Sequence, residues 1–287
     1  MRYSWDGCQL DIIRESVAEF FGASEFFPDY DPKLIWDRRH RLEPDFLTSD
    51  DRLRLSIHSW LLRTPGLNIL IDTCVGNNKK RPSIAQWDQA EFSYLEGLDK
   101  VGCSIEDVDI VMCTHLHVDH VGWNTRLHNG RWVPTFPNAR YLFGREEYAY
   151  FLSQNRSKPA SRGAFDDSVL PIVTAGKADF IESGYTLDRG VVVQQMPGHT
   201  PGHCVIRLEQ DGLRAVLSGD VVHHPMQIWH PDWTSVACWD PIQASRSRIQ
   251  LLDLCAETNA MLLPAHFCSP HGVRITKHRN RFDFRWD

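Results

Sequence analysis

The stretch Thr114-His115-Leu116-His117-Val118-Asp119-His120, preceded by Val108-Asp109-Ile110-Val111-Met112-Cys113, decides how the rest of this chain is read. An apolar run rich in β-branched residues and closed by polar ones predicts a buried strand that opens into a loop at its C-terminal end. Alternate side chains of a strand face opposite ways, so four potential ligands within six positions can converge only on a loop. Imidazole and carboxylate together suit zinc, manganese or iron, and two metals need more ligands than this segment carries.

Further ligand types follow three later strand-like runs. Residues 191–196 lead into Pro197-Gly198-His199-Thr200-Pro201-Gly202-His203, residues 215–219 into Asp220, and residues 261–265 into His266. In this order the residues resemble the metallo-β-lactamase superfamily, whose mark is His-x-His-x-Asp-His followed by a His, an Asp and a His; the similarity runs from about Leu53 to His271.

The resemblance implies an α/β fold, an αββα sandwich of two mixed β-sheets with helices on the outer faces. It implies that His115, His117 and His199 hold one divalent ion, that Asp119, His120 and His266 hold a second, and that Asp220 bridges them. Zinc is the expected metal, with manganese or iron as alternatives. Two ions roughly 3.5–4 Å apart share one hydroxide and lower its pKa towards neutrality, so the implied chemistry is hydrolysis of a lactone or related small ester by a metal-bridging hydroxide. Asp119 would also protonate the leaving group, Asp220 would hold the hydroxide, and an aspartate at the place of Asp72 stands near the metals to orient ligating imidazoles.

Two positions depart from the N-acyl-homoserine-lactone lactonases of that superfamily. Three residues after the bridging aspartate those enzymes use a tyrosine, and here His223 stands there, able to donate a hydrogen bond to a substrate oxygen. Lactonase-like members often carry two small residues after the motif, and here Gly122 is followed by Trp123. The same ligand set also serves phosphotriester hydrolysis, as in methyl parathion hydrolase, or a metal-binding signalling protein with little turnover. A flavodiiron oxygen reductase fits less well, since that family typically has Glu where His117 stands. His203 is expected to be structural. Trp123, Trp229, Trp233, Trp239 and Phe267 either line a pocket or fill the core.

With 287 residues the chain can bury a large core, and a single domain over 1–287 is expected, its segment of about 1–51 irregular. The net charge of −6 offers no attraction to a polyanion, so the expected partner is a small-molecule substrate, without nucleic acid. Eight cysteines without a C-x-x-C pair predict free thiols in a reducing cytosol, and the N-terminus lacks an apolar signal region. A cytoplasmic protein with no membrane partner is therefore expected, with a homodimer possible.

Along the chain, residues 7–21 predict a strand turning into a short helix, and 22–51 an irregular wrap. Residues 53–62 and 67–73 predict a hairpin across Thr64-Pro65-Gly66. A helix is expected over 87–102, a strand over 139–143, a helix over 146–152, and a polar loop over 155–167. A second hairpin joins 205–208 to 215–217 through Asp211-Gly212, and 242–255 predict a helix with Ile249, Leu252 and Leu254 partly buried.

Overall fold

The computed structural model describes residues 2–5, 7–279 and 281–287, and the chain divides into two compact units. The first comprises Met1–Ser16 and Ile57–Ser183, the second Val17–Ser56 and Gly184–Asp287. Each carries one seven-stranded mixed sheet, so the expected α/β class with two mixed sheets and helices is what the chain adopts.

In chain order the first strands are β1 (Arg2–Trp5), β2 (Cys8–Ala18), β3 (Leu55–Arg63), β4 (Asn68–Ile71) and β5 (Ile110–Met112). They continue with β6 (Thr125–His128), β7 (Arg131–Pro134), β8 (Arg140–Gly144) and β9 (Ala178–Ile181), and the sheet order is β1-β2-β3-β4-β5-β8-β9. Strands β4, β5, β8 and β9 run parallel. A parallel strand is covered on both faces, which is why β4 and β5 are nearly unbroken apolar runs. Parallel pairing in register, Ile71 opposite Met112, brings the C-terminal ends of β4 and β5 side by side. Asp72 and the histidine-rich loop therefore start next to each other.

The helix expected over 87–102 is shorter, α3 (Tyr94–Lys100), because residues 82–89 are taken up by turns. Helix α4 (Arg145–Asn155) follows β8, and the expected polar loop instead carries a π-turn, Phe165–Val169, running into α5 (Leu170–Thr174). The separate hairpin of β6 and β7 turns through Asn129-Gly130, both at positive φ. Asn-Gly is the usual signature of such a turn.

The second unit holds α1 (Ala23–Phe26), α2 (Pro32–Ile35), β10 (Thr186–Asp188), β11 (Val191–Gln195), β12 (Cys204–Glu209), β13 (Leu213–Gly219), α6 (Met226–Trp229) and α7 (Pro241–Thr258). Strands β14 (Met261–Pro264), β15 (Val273–His278) and β16 (Arg281–Trp286) complete it, ordered β10 to β16 across the sheet. Among the described residues of this unit only β13 and β14 pair in parallel. The expected break of residues 7–21 into a helix is corrected: β2 stays extended to Ala18, and the first helical turn waits for Ala23.

Helix α7 begins where Asp240 accepts the Gln243 N–H at 2.9 Å with Pro241 in the first turn, and it ends at Asn259 in the left-handed region. Its buried stripe is Ala244, Ser247, Arg248, Leu251, Leu252 and Cys255, while Ile249 lies outside it. Of the residues expected to be partly buried, Leu252 is buried and Leu254 half-buried, and only Ile249 is exposed.

One close approach constrains the first unit. The Gly122 N–H donates to Cys74 O, the Trp123 N–H to Thr73 O and the Thr73 N–H to His120 O, each at 2.7 Å. A β-carbon on Gly122 would lie 1.8 Å from Val75 O. Gly122→Ala should therefore cost more than about 4 kcal/mol or prevent folding, whereas Gly66→Ala, in open space, should stay within about 0.5 kcal/mol. Comparable melting temperatures for the two variants would contradict the backbone contact.

Candidate metal centre

The first unit positions four of the expected ligands on the loop after β5. Asp72, in the left-handed region at φ +58°, is the anchor. Its carboxylate accepts the Thr114 N–H at 2.7 Å and the Thr114 hydroxyl at 2.8 Å, and faces His120 Nδ1 at 2.9 Å. His120 Nδ1 therefore carries the hydrogen, and Nε2 keeps its lone pair. Since the Thr114 hydroxyl donates to Asp72, it accepts from His115 Nδ1 at 3.0 Å, which leaves the lone pair of His115 on Nε2. That Nε2 lies 3.1 Å from His117 Nδ1, so two imidazoles aim at one point.

Asp119 is partly exposed, with Oδ1 3.9 Å from His120 Nε2. The Leu116 N–H donates to the buried Glu147 at 2.9 Å, which fixes the backbone between His115 and His117.

The second unit gathers the remaining candidates around Asp220. His199 Nε2 and His223 Nε2 each lie 3.3 Å from Asp220 Oδ2, and His266 Nε2 lies 3.1 Å from Oδ1. Outer nitrogens are again held: His266 Nδ1 faces Ser56 O at 3.0 Å, and His199 Nδ1 faces Cys238 Sγ at 3.6 Å. His203 Nε2 accepts the Asp220 N–H at 3.0 Å, the structural part expected of it. Gly198, at φ +131°, must be glycine, because a β-carbon there would meet Ala244 N at 2.2 Å.

His223 is fully enclosed, its N–H backbone bound to Gln227 Oε1 at 2.7 Å and its Nδ1 without a hydrogen-bond partner. Burial pushes its pKa below the usual imidazole value, against the opposing pull of Asp220. A buried polar atom left without a partner marks a place worth testing for function. The neighbouring His224 is structural: burial lowers it to about 4, and it bonds Phe46 O at 2.9 Å and the Met226 N–H at 3.2 Å.

Sequence reasoning missed two supporting residues. Arg248, buried on α7 with its pKa pushed down to about 10 by burial, donates to Val221 O, Pro231 O and Trp233 O and so ties down the loop that begins at Asp220. Its signal was a cation on the apolar stripe, one turn before Leu252. Glu147 likewise looked like an ordinary surface acid of α4. Of the aromatic candidates, Trp123, Trp229, Trp233 and Phe267 are buried, and Trp239 has an exposed side chain while its backbone N–H donates to His199 O at 2.9 Å.

In each unit, imidazoles with one nitrogen held from behind present the other towards a second donor, and carboxylates complete the sets. Such carboxylate, hydroxyl or carbonyl backing is the usual support of metal-ligating histidine. The donor chemistry fits a borderline divalent ion such as zinc.

The chain belongs to the metallo-beta-lactamase superfamily, whose family model matches residues 52–266. Among curated relatives, an N-acyl homoserine lactonase of Bacillus sp is 27% identical over 188 residues, 60% of this chain and 65% of that protein. An N-acyl homoserine lactonase of Bacillus cereus is 27% identical over 184 residues, 58% of this chain and 64% of that one. The chain thus spans just under two thirds of the length of these relatives. Among solved structures, AidC, described as a dizinc quorum-quenching lactonase, superposes with a TM-score of 0.80 at 21% identity over 100% of this chain and 97% of its own. The hydrolase AbOPH of the beta lactamase superfamily gives 0.81 at 21% identity over 99% and 95%. At that identity the likeness is one of fold.

Asp72 is the residue on which two imidazole orientations rest. Asp72→Ala should weaken metal binding by roughly 10- to 100-fold, the usual effect of removing such a partner, while Asp72→Asn should lose less because an amide oxygen still accepts one bond. Chelator competition at constant pH reads both, and wild-type affinity in Asp72→Ala would remove Asp72 from this role.

Proposed function

We propose that this protein is a dinuclear metal-dependent hydrolase acting on a lactone or related small ester. The observation that carries the reading is the tautomer pattern: His115, His120 and His266 each have Nδ1 engaged from behind, by Thr114, Asp72 and Ser56 O. Ligand assignment follows the order of the sequence motif, with His115, His117 and His199 on one ion, Asp119, His120 and His266 on the other, and Asp220 shared. When bound, two divalent ions, zinc in the first instance, would supply an activated water at neutral pH and polarise the substrate carbonyl.

The chain's own residues do the rest. Asp119 delivers a proton to the leaving oxygen, a part for which its partial exposure beside the enclosed His115 and His120 suits it. Asp220 orients the attacking water through its carboxylate. His223 donates one hydrogen bond to a substrate oxygen in the place where lactonases use a phenol. The lactone class is supported by the relatives named N-acyl homoserine lactonase. No helix among the described residues is long and apolar enough to cross a membrane. In this reading the protein is a single functional domain of the cytoplasm.

Elemental analysis of loaded protein should give two metal equivalents per chain, and one or fewer would count against the pair. Across lactones, aryl esters, thioesters, phosphotriesters and β-lactams, the fastest turnover is expected on lactones. Preference for phosphotriesters would redirect the substrate class, and inactivity on all of them would favour a signalling part. His115→Ala and Asp220→Ala should abolish most turnover together with metal. His223→Ala should lower turnover by on the order of 10²- to 10⁴-fold with metal content intact, the range of a positioned proton donor. Normal rates in His223→Ala would leave catalysis to Asp119 and the metals.

A further inference from the structure

Glu15 lies on β2, outside the 52–266 region that the family model covers, and its carboxylate is spent on the two segments that frame the ligand loop. Oε2 accepts the Val75 N–H at 3.0 Å, while Oε1 accepts the Gly76 N–H at 3.0 Å and the Trp123 indole N–H at 2.7 Å. Every partner is an N–H donor, so only a group that accepts at both oxygens satisfies all of them. Burial pushes the carboxyl up to about 7 although each of these bonds pulls it down.

The segments so joined are not remote from the candidate ligands. Residues 72–76 begin with Asp72, and residues 120–124 begin with His120. They are already laced by Thr73 on His120 O, Trp123 on Thr73 O and Gly122 on Cys74 O. Trp123 is held flat against Tyr94, with ring centroids 5.3 Å apart, and the Tyr94 hydroxyl donates to Ser59 at 2.7 Å. The tryptophan that replaces the expected small residue therefore brings the third donor to Glu15.

We propose that Glu15, with Trp123, is a positioning residue for the ligand loop: it holds segments 72–76 and 120–124 in register so that Asp72 meets His120 and Thr114. The inference rests on the metal-hydrolase reading, but it concerns a pair of residues that the family motif does not include. Glu15→Gln keeps the size and places an amide N–H against a backbone N–H, so it breaks at least one bond without opening a cavity. Trp123→Phe removes the indole donor and keeps an aromatic ring against Tyr94.

The test measures metal release to a chromogenic chelator, the visible absorption spectrum of the cobalt-loaded protein, and the melting temperature without metal. Glu15→Gln should release the more weakly held ion roughly 10- to 100-fold faster and alter the cobalt spectrum, with metal-free melting changed little. Trp123→Phe should move both readouts the same way, and the double variant should be no worse than Glu15→Gln, since the two residues share one bond. Wild-type release and spectrum in folded variants would overturn the proposal, and so would a fall in metal-free stability with an unchanged spectrum. If Glu15→Gln does not fold, Trp123→Phe carries the same test. Wild-type protein that takes up no metal would instead remove the parent reading, an outcome visible before any variant is made.

Discussion

The Asp72 carboxylate is the constraint on which the first unit's site depends. It sits in a left-handed backbone conformation that costs an aspartate on the order of 1–3 kcal/mol, and such strain persists where surrounding contacts over-determine it. Here the Thr114 N–H and hydroxyl and His120 Nδ1 all converge on it. The parallel pairing of β4 with β5 makes this possible, because it sets Asp72 and Thr114 at adjacent strand ends. Functional groups collect at the carboxyl ends of parallel strands for this reason. From one carboxylate the tautomers of two imidazoles follow, one directly and one through a hydroxyl.

The second unit reaches a similar result by other means. Its anchor is a carboxylate surrounded by imidazoles, and the backbone of Asp220 is held by His203 instead of by a sheet partner. Arg248 is a buried cation that donates to the backbone carbonyl oxygens of Val221, Pro231 and Trp233, an arrangement that costs desolvation and yields a rigid loop. Gly198 allows the turn before His199 to lie against the first residues of α7. Cys74, Cys113 and Cys255 are all buried, and burial pushes their thiols up, as it does for small packed side chains.

Residue type and order were enough to single out His115, His117, Asp119, His120, His199, Asp220 and His266, because chemistry-bearing residues that end apolar runs are visible one segment at a time. The same is true of β4, β5, β11 and β14, whose apolar runs need no knowledge of their neighbours. What escaped were facts about partners. Arg248 and Glu147 look like surface charges until the loops they bond are placed around them, and Glu15 looks like one more acid of a strand. The extension of β2 to Ala18 was hidden because Val17, Phe20 and Phe21 also fit a helical stripe, and a strand edge supplied by β1 and β3 outweighed that local pattern.

The sequence by itself therefore determined the family, the two-sheet α/β class and the list of candidate metal ligands, since each is encoded in local order and polarity. Only the tertiary structure decided which nitrogen of each imidazole is held, why Gly122 admits no side chain, and which buried acids and cations support the loops. Those depend on hydrogen-bond partners many residues away, and a hydrogen bond is directional and short enough that it exists only once the backbone has brought both ends to within about 3 Å.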